Sequence, residues 1–148
     1  MKRILLTVLG PMCLVGASVF ALIWWERGAP PGFLPTPHDV SIQDITRNHR
    51  GVRVEGTAHY GLRIVQTTAE VSWYLYPLFE PGDTMGREIK VLVRSTVQPE
   101  PLLGFEDLVI EGFARPPGRL IDASITTGLR EYGYTFVDDY VLVEPFNN

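Results

Sequence analysis

Cysteine is almost missing from this chain: Cys13 is the only one in 148 residues. No intramolecular disulfide can form and no thiolate metal cluster is possible, which excludes zinc ribbons and thioredoxin-like redox chemistry. Histidine is scarce too. His38, His49 and His59 lack a second ligand at metal spacing, and no H-E-x-x-H helix occurs, so no metal site is expected. No G-x-S-x-G elbow presents a serine beside a base. "GFEDLVIEG" carries neither the lysine nor the helix of a phosphate cradle. The adjacent carboxylates Glu106-Asp107 and Asp138-Asp139 read as turn residues rather than acid–base pairs. No catalytic residue set is expected, and the chain reads as non-enzymatic.

Positive charge is short outside the first residues. Setting aside Lys2, Arg3, Glu26 and Arg27, residues 28–148 carry 10 basic and 16 acidic side chains, a net of −6. An acidic domain does not suit nucleic acid, whose binding rests on neutralising phosphates, nor a polybasic attachment to anionic lipid.

One long apolar run is present. From Ile4 to Trp25, 22 residues carry no charge. A helix of that length spans roughly the ~30 Å hydrocarbon core. Lys2 and Arg3 precede it, whereas Glu26 and Arg27 cancel, so the positive-inside rule places the N-terminus in the cytoplasm. Trp24 and Trp25 fall where an aromatic belt would lie. A cleaved signal peptide, with Val19 and Ala21 as the small residues, is the rival reading. The run continues past that site through Leu22–Trp25, which favours an uncleaved anchor. The expected organisation is an anchor over 1–27, a linker over 28–38 and an extracytoplasmic β-rich domain over 39–148. "RGAPPGFLPTP" supplies four prolines and two glycines to the linker.

Within the domain, "VRVE" alternates Val52 and Val54 with Arg53 and Glu55, the period of a half-buried strand. "LRIVQT", "EVSWYLYPLF", "EIKVLVRST", "LVIEGFA" and "YVLVEPF" follow, the last split from "YTFV" by Asp138-Asp139. Gly56 marks a bend where a barrel turns a corner, and Gly112 matches it. Ser41 with Asp44 predicts an N-capped helix of about two turns ending near Arg47–Asn48. Asp122 predicts a second short helix through Ile125 and Leu129. "GLREYGY", residues 128–134, then reads as the helix end leading into the last strand. The fold class expected is mainly β: a transmembrane helix followed by a small OB-like antiparallel barrel with one or two short helices. An open sandwich is the alternative.

Trp73, Tyr74, Tyr76 and Phe79 form the densest aromatic group and the candidate binding surface. Alternation puts Trp73 in the core and turns Tyr74 and Tyr76 outward or into a groove, suited to a protein or cofactor contact. His59 ends a strand after Gly56 and could face a groove.

"TPHDV", "VRVEG" and "LVIEGFARPPGRLIDAS" resemble the periplasmic haem chaperone of cytochrome c maturation, an anchored β-barrel. That family's loop tyrosine falls on Tyr134, and its haem-attaching histidine falls on Arg130, which cannot make the covalent bond. The resemblance thus implies at most non-covalent haem contact through His59 or Tyr134. "VRVEGTA", "PLFEPGD", "VLVRSTV" and "VIEGFARPP" also resemble the Surf-type assembly factor of cytochrome oxidase. No second apolar run follows here, and Ser95-Thr96 stand where that family has glycine-tryptophan after the position of Arg94. Together these readings imply an inner-membrane protein with a periplasmic domain, acting as an assembly factor with a protein partner in the same membrane.

Overall fold

The computed structural model describes residues 34–68, 70–100 and 104–148. The expected anchor, Ile4 to Trp25, and most of the linker lie outside them. Among the described residues, no helix is long and apolar enough to cross a membrane.

The alternating runs form β1 (His38–Asp39), β2 (Gly51–His59), β3 (Ile64–Thr67), β4 (Ser72–Phe79), β5 (Glu88–Ser95), β6 (Phe105–Arg115) and β7 (Thr135–Pro145), with helix α1 (Ala123–Glu131) before the last strand. Neighbouring strands run β1-β2-β6-β7-β5-β4-β3, and β2 also pairs with β4. That extra pairing closes β2, β4, β5, β7 and β6 into a five-stranded barrel. The pairings are antiparallel except β5 with β7 and β1 with β2. A closed five-stranded barrel with one helix is consistent with a small OB-like fold.

Two apolar layers result. Val52, Val54, Ala58, Tyr76, Leu78, Val91, Val93, Val141 and Val143 fill the barrel. Leu75, Phe79, Leu92 and Leu142 lie on its outer wall, where Ile125 and Leu129 of α1 cover them. Asp122 starts that helix by accepting the N–H of Ser124 at 2.9 Å. At its end Gly133 takes φ +84, Gly133 N–H donates to Arg130 O and Tyr134 N–H to Leu129 O. This is a Schellman stop. "GLREYGY" is thus a helix terminus feeding β7.

Gly56 lies where β2 passes between β6 and β4. A Cβ there would run into the carbonyl oxygen of Phe79 and sit 2.8 Å from Ile42 Cδ1. Gly112 meets the backbone of Glu144 in the same way where β6 reaches β7. Both strand glycines are close-approach positions.

Two expectations are corrected. The helix expected from Ser41 is a single turn. Ser41 Oγ does accept Asp44 N–H, at 3.1 Å, and Ile45 N–H bonds to Ser41 O. The next N–H, of Thr46, goes instead to His49 Nδ1 at 3.1 Å, so the helix does not propagate. Ile42 and Ile45 are left buried as a plug of the barrel. The second correction concerns the carboxylate pairs, which lie within strands. Glu106-Asp107 belong to β6, and Asp138-Asp139 lie inside a continuous β7. The register between β5 and β7 shifts between Ile89 and Val91, so β7 bulges around residues 137–140. Arg47 satisfies the bulge by donating to Asp138 O at 2.8 Å and Tyr140 O at 3.2 Å. Lys90 Nζ sits 2.6 Å from Asp139 Oδ2 and holds that carboxyl below its ordinary range.

Gly56→Ala is expected to lower stability by about 1–3 kcal/mol, the usual cost of overpacking. Gly61→Ala, whose Cβ meets nothing within 4 Å, serves as the control. Urea midpoints of the two variants check this; equal midpoints would remove the crossing constraint.

Candidate functional site

Histidine 59 is the last residue of β2, and its odd position turns the ring to the outer side of the barrel. It is nevertheless only 2% exposed. Phe79 lies 4.3 Å from it and Phe105 4.7 Å, centroid to centroid. The segment 80–87 folds across it: His59 Nε2 donates to the carbonyl of Asp83 at 2.8 Å. A carbonyl only accepts, so Nε2 carries the proton. In the neutral ring Nδ1 then accepts from the Tyr134 hydroxyl at 3.2 Å. The two residues singled out as ligand contacts, 75 positions apart, are therefore in direct contact.

Their surroundings fasten chain segments together. Thr57, two residues before His59 on the same face, donates to the Asp107 carboxylate and accepts Gly82 N–H at 2.7 Å. Thr135 N–H donates to Arg87 O at 2.8 Å, and the Arg87 guanidinium lies 4.9 Å from the Tyr134 ring centroid. The Asp83 carboxylate is turned to its own turn, accepting Met85 N–H at 2.9 Å. So the imidazole is oriented by a backbone carbonyl, with both nitrogens engaged and Tyr134 only 3% exposed. In this state the pair locks segment 80–87 and the α1–β7 junction onto β2.

The aromatic group of β4 divides between the two layers. Tyr76 points into the barrel against Tyr60, with ring centroids 4.9 Å apart. Tyr60 in turn donates to Glu106 Oε2 at 2.8 Å. Burial first, and then the Glu106 charge, push the Tyr76 hydroxyl up to about 12. Burial and the Glu106 hydrogen bond raise Tyr60 as well. Phe79 lies in the outer layer beside His59. Trp73, also outside, stacks on Arg94 with 3.6 Å between guanidinium carbon and ring centroid. Tyr74 donates to Gln98 Oε1 at 3.3 Å. The four residues thus do not form one surface, and the inward residue is Tyr76 rather than Trp73.

Sequence reasoning passed over a second cluster. Arg94 of β5 meets Glu144 of β7 at 2.6 Å, and Glu144 meets Arg115 of β6 at 3.1 Å. The only sequence signal was that Arg94 and Glu144 follow Val93 and Val143 inside apolar strands. His49 serves its turn and His38 is exposed on β1. Among the described residues no three His, Cys, Asp or Glu side chains converge as a metal site.

No family model, no curated protein and no solved structure matches this chain.

The tyrosine pair gives the barrel an alkaline limit. Tyr76 has a folded pKa of about 12 against 10.0 for the free side chain. The folded state therefore holds that proton more tightly. Its contribution is complete below pH 10 and is lost as pH rises towards about 12. Tyr76→Phe is expected to flatten part of this decline, with Tyr60 responsible for the remainder. Urea midpoints measured across that range check it; an unchanged slope in the variant would show that Tyr76 is not the titrating group.

Proposed function

We propose that this chain is a non-enzymatic binding or assembly module, held in the cytoplasmic membrane by residues 4–25 with its barrel on the extracytoplasmic side. Its partner is a protein complex of the same membrane, of the respiratory kind that both sequence resemblances suggest. One observation carries the reading. The barrel spends His59, Tyr134 and Thr57 on fastening its own segments, while its β6 strand presents Phe105, 50% exposed, and Val109, 45% exposed, to the surroundings. Exposed apolar side chains beside such a fixed scaffold suit a protein contact. The net charge of −6 over residues 28–148 supports a protein partner over nucleic acid.

The full chain, extracted in mild detergent, is expected to co-purify with a membrane protein in fixed stoichiometry. A strictly monomeric chain without a partner would sink the reading. A reporter fused after Asn148 is expected to be active only outside the cytoplasm, and cytoplasmic activity would reverse the topology.

The resemblance to the haem chaperone carries one second reading, a haem-binding chaperone without covalent attachment through His59 or Tyr134. Both side chains can ligate iron in principle. As folded they do not fit the group. Neither is exposed, Nε2 is spent on Asp83 O, and Nδ1 is spent on the tyrosine hydroxyl. Titrating haem into the full chain tests this: a saturable Soret band that Tyr134→Phe abolishes supports it, and no saturable band ends it.

A further inference from the structure

The direction of the main-chain groups along β6 follows from three hydrogen bonds. Tyr60 N–H donates to Gly104 O, and Ala114 N–H donates to Arg50 O. With the β2–β6 register, this makes the even-numbered residues of β6 the ones that exchange bonds with β2. In an antiparallel ladder, the residues between them turn their N–H and C=O to the opposite side. Glu111 does so, its carbonyl accepting Phe146 N–H at 3.0 Å. Strand β7, however, pairs with β6 only over Gly112–Arg115. The N–H and C=O groups of Phe105, Asp107 and Val109 therefore aim at a side where, among the described residues, no strand lies.

The same three residues place their side chains on the outer face, where all are exposed. Such an edge is a template for another strand. Its charge selects the occupant. Residues 105–111 include Glu106, Asp107 and Glu111 and no basic residue. The nearest outward cation on β2, Arg53, is taken by Asp39 at 2.8 Å and Glu111 at 3.5 Å. A second copy of β6 paired antiparallel would bring carboxylates against carboxylates, which is destabilising across a strand pair.

We infer that the open edge of β6 from Phe105 to Val109 is a docking site for an extended, basic segment of a partner protein, which adds to the sheet as a strand. On the outer face the fitting pattern is apolar–x–basic–x–apolar: the basic side chain opposite Asp107, the apolar ones opposite Phe105 and Val109. Main-chain bonds supply affinity and the alternating side chains supply selectivity. The inference rests on the reading of the barrel as a binding module and specifies where that module binds.

The probe is a synthetic peptide, Thr-Val-Thr-Lys-Thr-Val-Thr, added to the full chain in detergent with amide exchange followed by NMR. In the free chain the amides of Leu108 and Ile110 are expected to exchange slowly and those of Phe105, Asp107 and Val109 fast. The peptide is expected to slow the latter set by about tenfold or more, as strand pairing does. The same peptide N-methylated along its pairing edge, with its charge unchanged, is expected to lose this protection. So is the chain carrying Val109→Pro, which deletes an outward N–H but no bond of the β2 ladder. Equal protection by the N-methylated peptide, no protection by either peptide, or slow exchange at all three amides in the free chain would each overturn the proposal. A membrane partner still co-purifying with Val109→Pro would overturn this edge while leaving the module reading intact. Loss of that partner with the variant supports both.

Discussion

Everything in this domain depends on one strand being shared. Strand β2 pairs with β6 along its whole length and with β4 at Thr57 and Ala58, and only that double duty closes the barrel. At Gly56 the Phe79 carbonyl lies where a Cβ would stand, so this point of the crossing takes a residue without a side chain. Closure has two consequences. It forces the even residues of β2 into a narrow interior, where Val52, Val54 and Ala58 are fully buried. It also brings the odd residues Thr57 and His59 under the segment that follows β4, where they become fasteners.

The polar groups fall into classes of unequal weight. The Lys90–Asp139 pair adds little, because its carboxylate is solvated and screened. Arg94, Glu144 and Arg115 differ: their side chains are 10%, 13% and 23% exposed. There, deleting Glu144 leaves the nearly buried Arg94 without its counter-ion, which costs about 3–5 kcal/mol. Arg94 Nε has no hydrogen-bond partner, and its guanidinium lies on the face of Trp73 instead. The buried bonds at His59 act by a third route. Each is modest, but breaking one strands a buried donor or acceptor, the costlier event.

Much of the fold was legible in the residues. Strand positions, the Asp122 cap and the helix stop at Gly133 each rest on a local signal that the tertiary structure respects. Alternation failed at a specific point. A strand with one solvated face shows its buried side as apolar, but β4 is covered on both, by the barrel interior and by α1. Period two then separates Trp73 from Tyr76 without saying which is inside. The Ser41 helix failed because a capping box specifies a start and not a length. Asp138-Asp139 misled because Arg47, some 90 residues away, satisfies the carbonyls of a bulge. The meeting of His59 with Tyr134 is likewise a product of closure, invisible to any window along the chain.

The same closure leaves the domain's edges unequally covered. Where the chain enters, Pro35 lies against Gly51 and β1 pairs with β2, Val40 N–H donating to Arg53 O. The outward groups of β2 are thus met by β1 at one end and by β4 at the other. Among the described residues no strand meets β6 before Glu111, because β7 is drawn away along β5 by its parallel pairing. An edge held open next to a rigid, closed barrel needs little reorganisation to accept a strand, and its carboxylates disfavour pairing with its own kind. Rigidity at Gly56 and openness at Val109 are therefore two results of one topology: the strand that closes the barrel on one side fixes β6 in place, and the strand that would cover it on the other is engaged elsewhere.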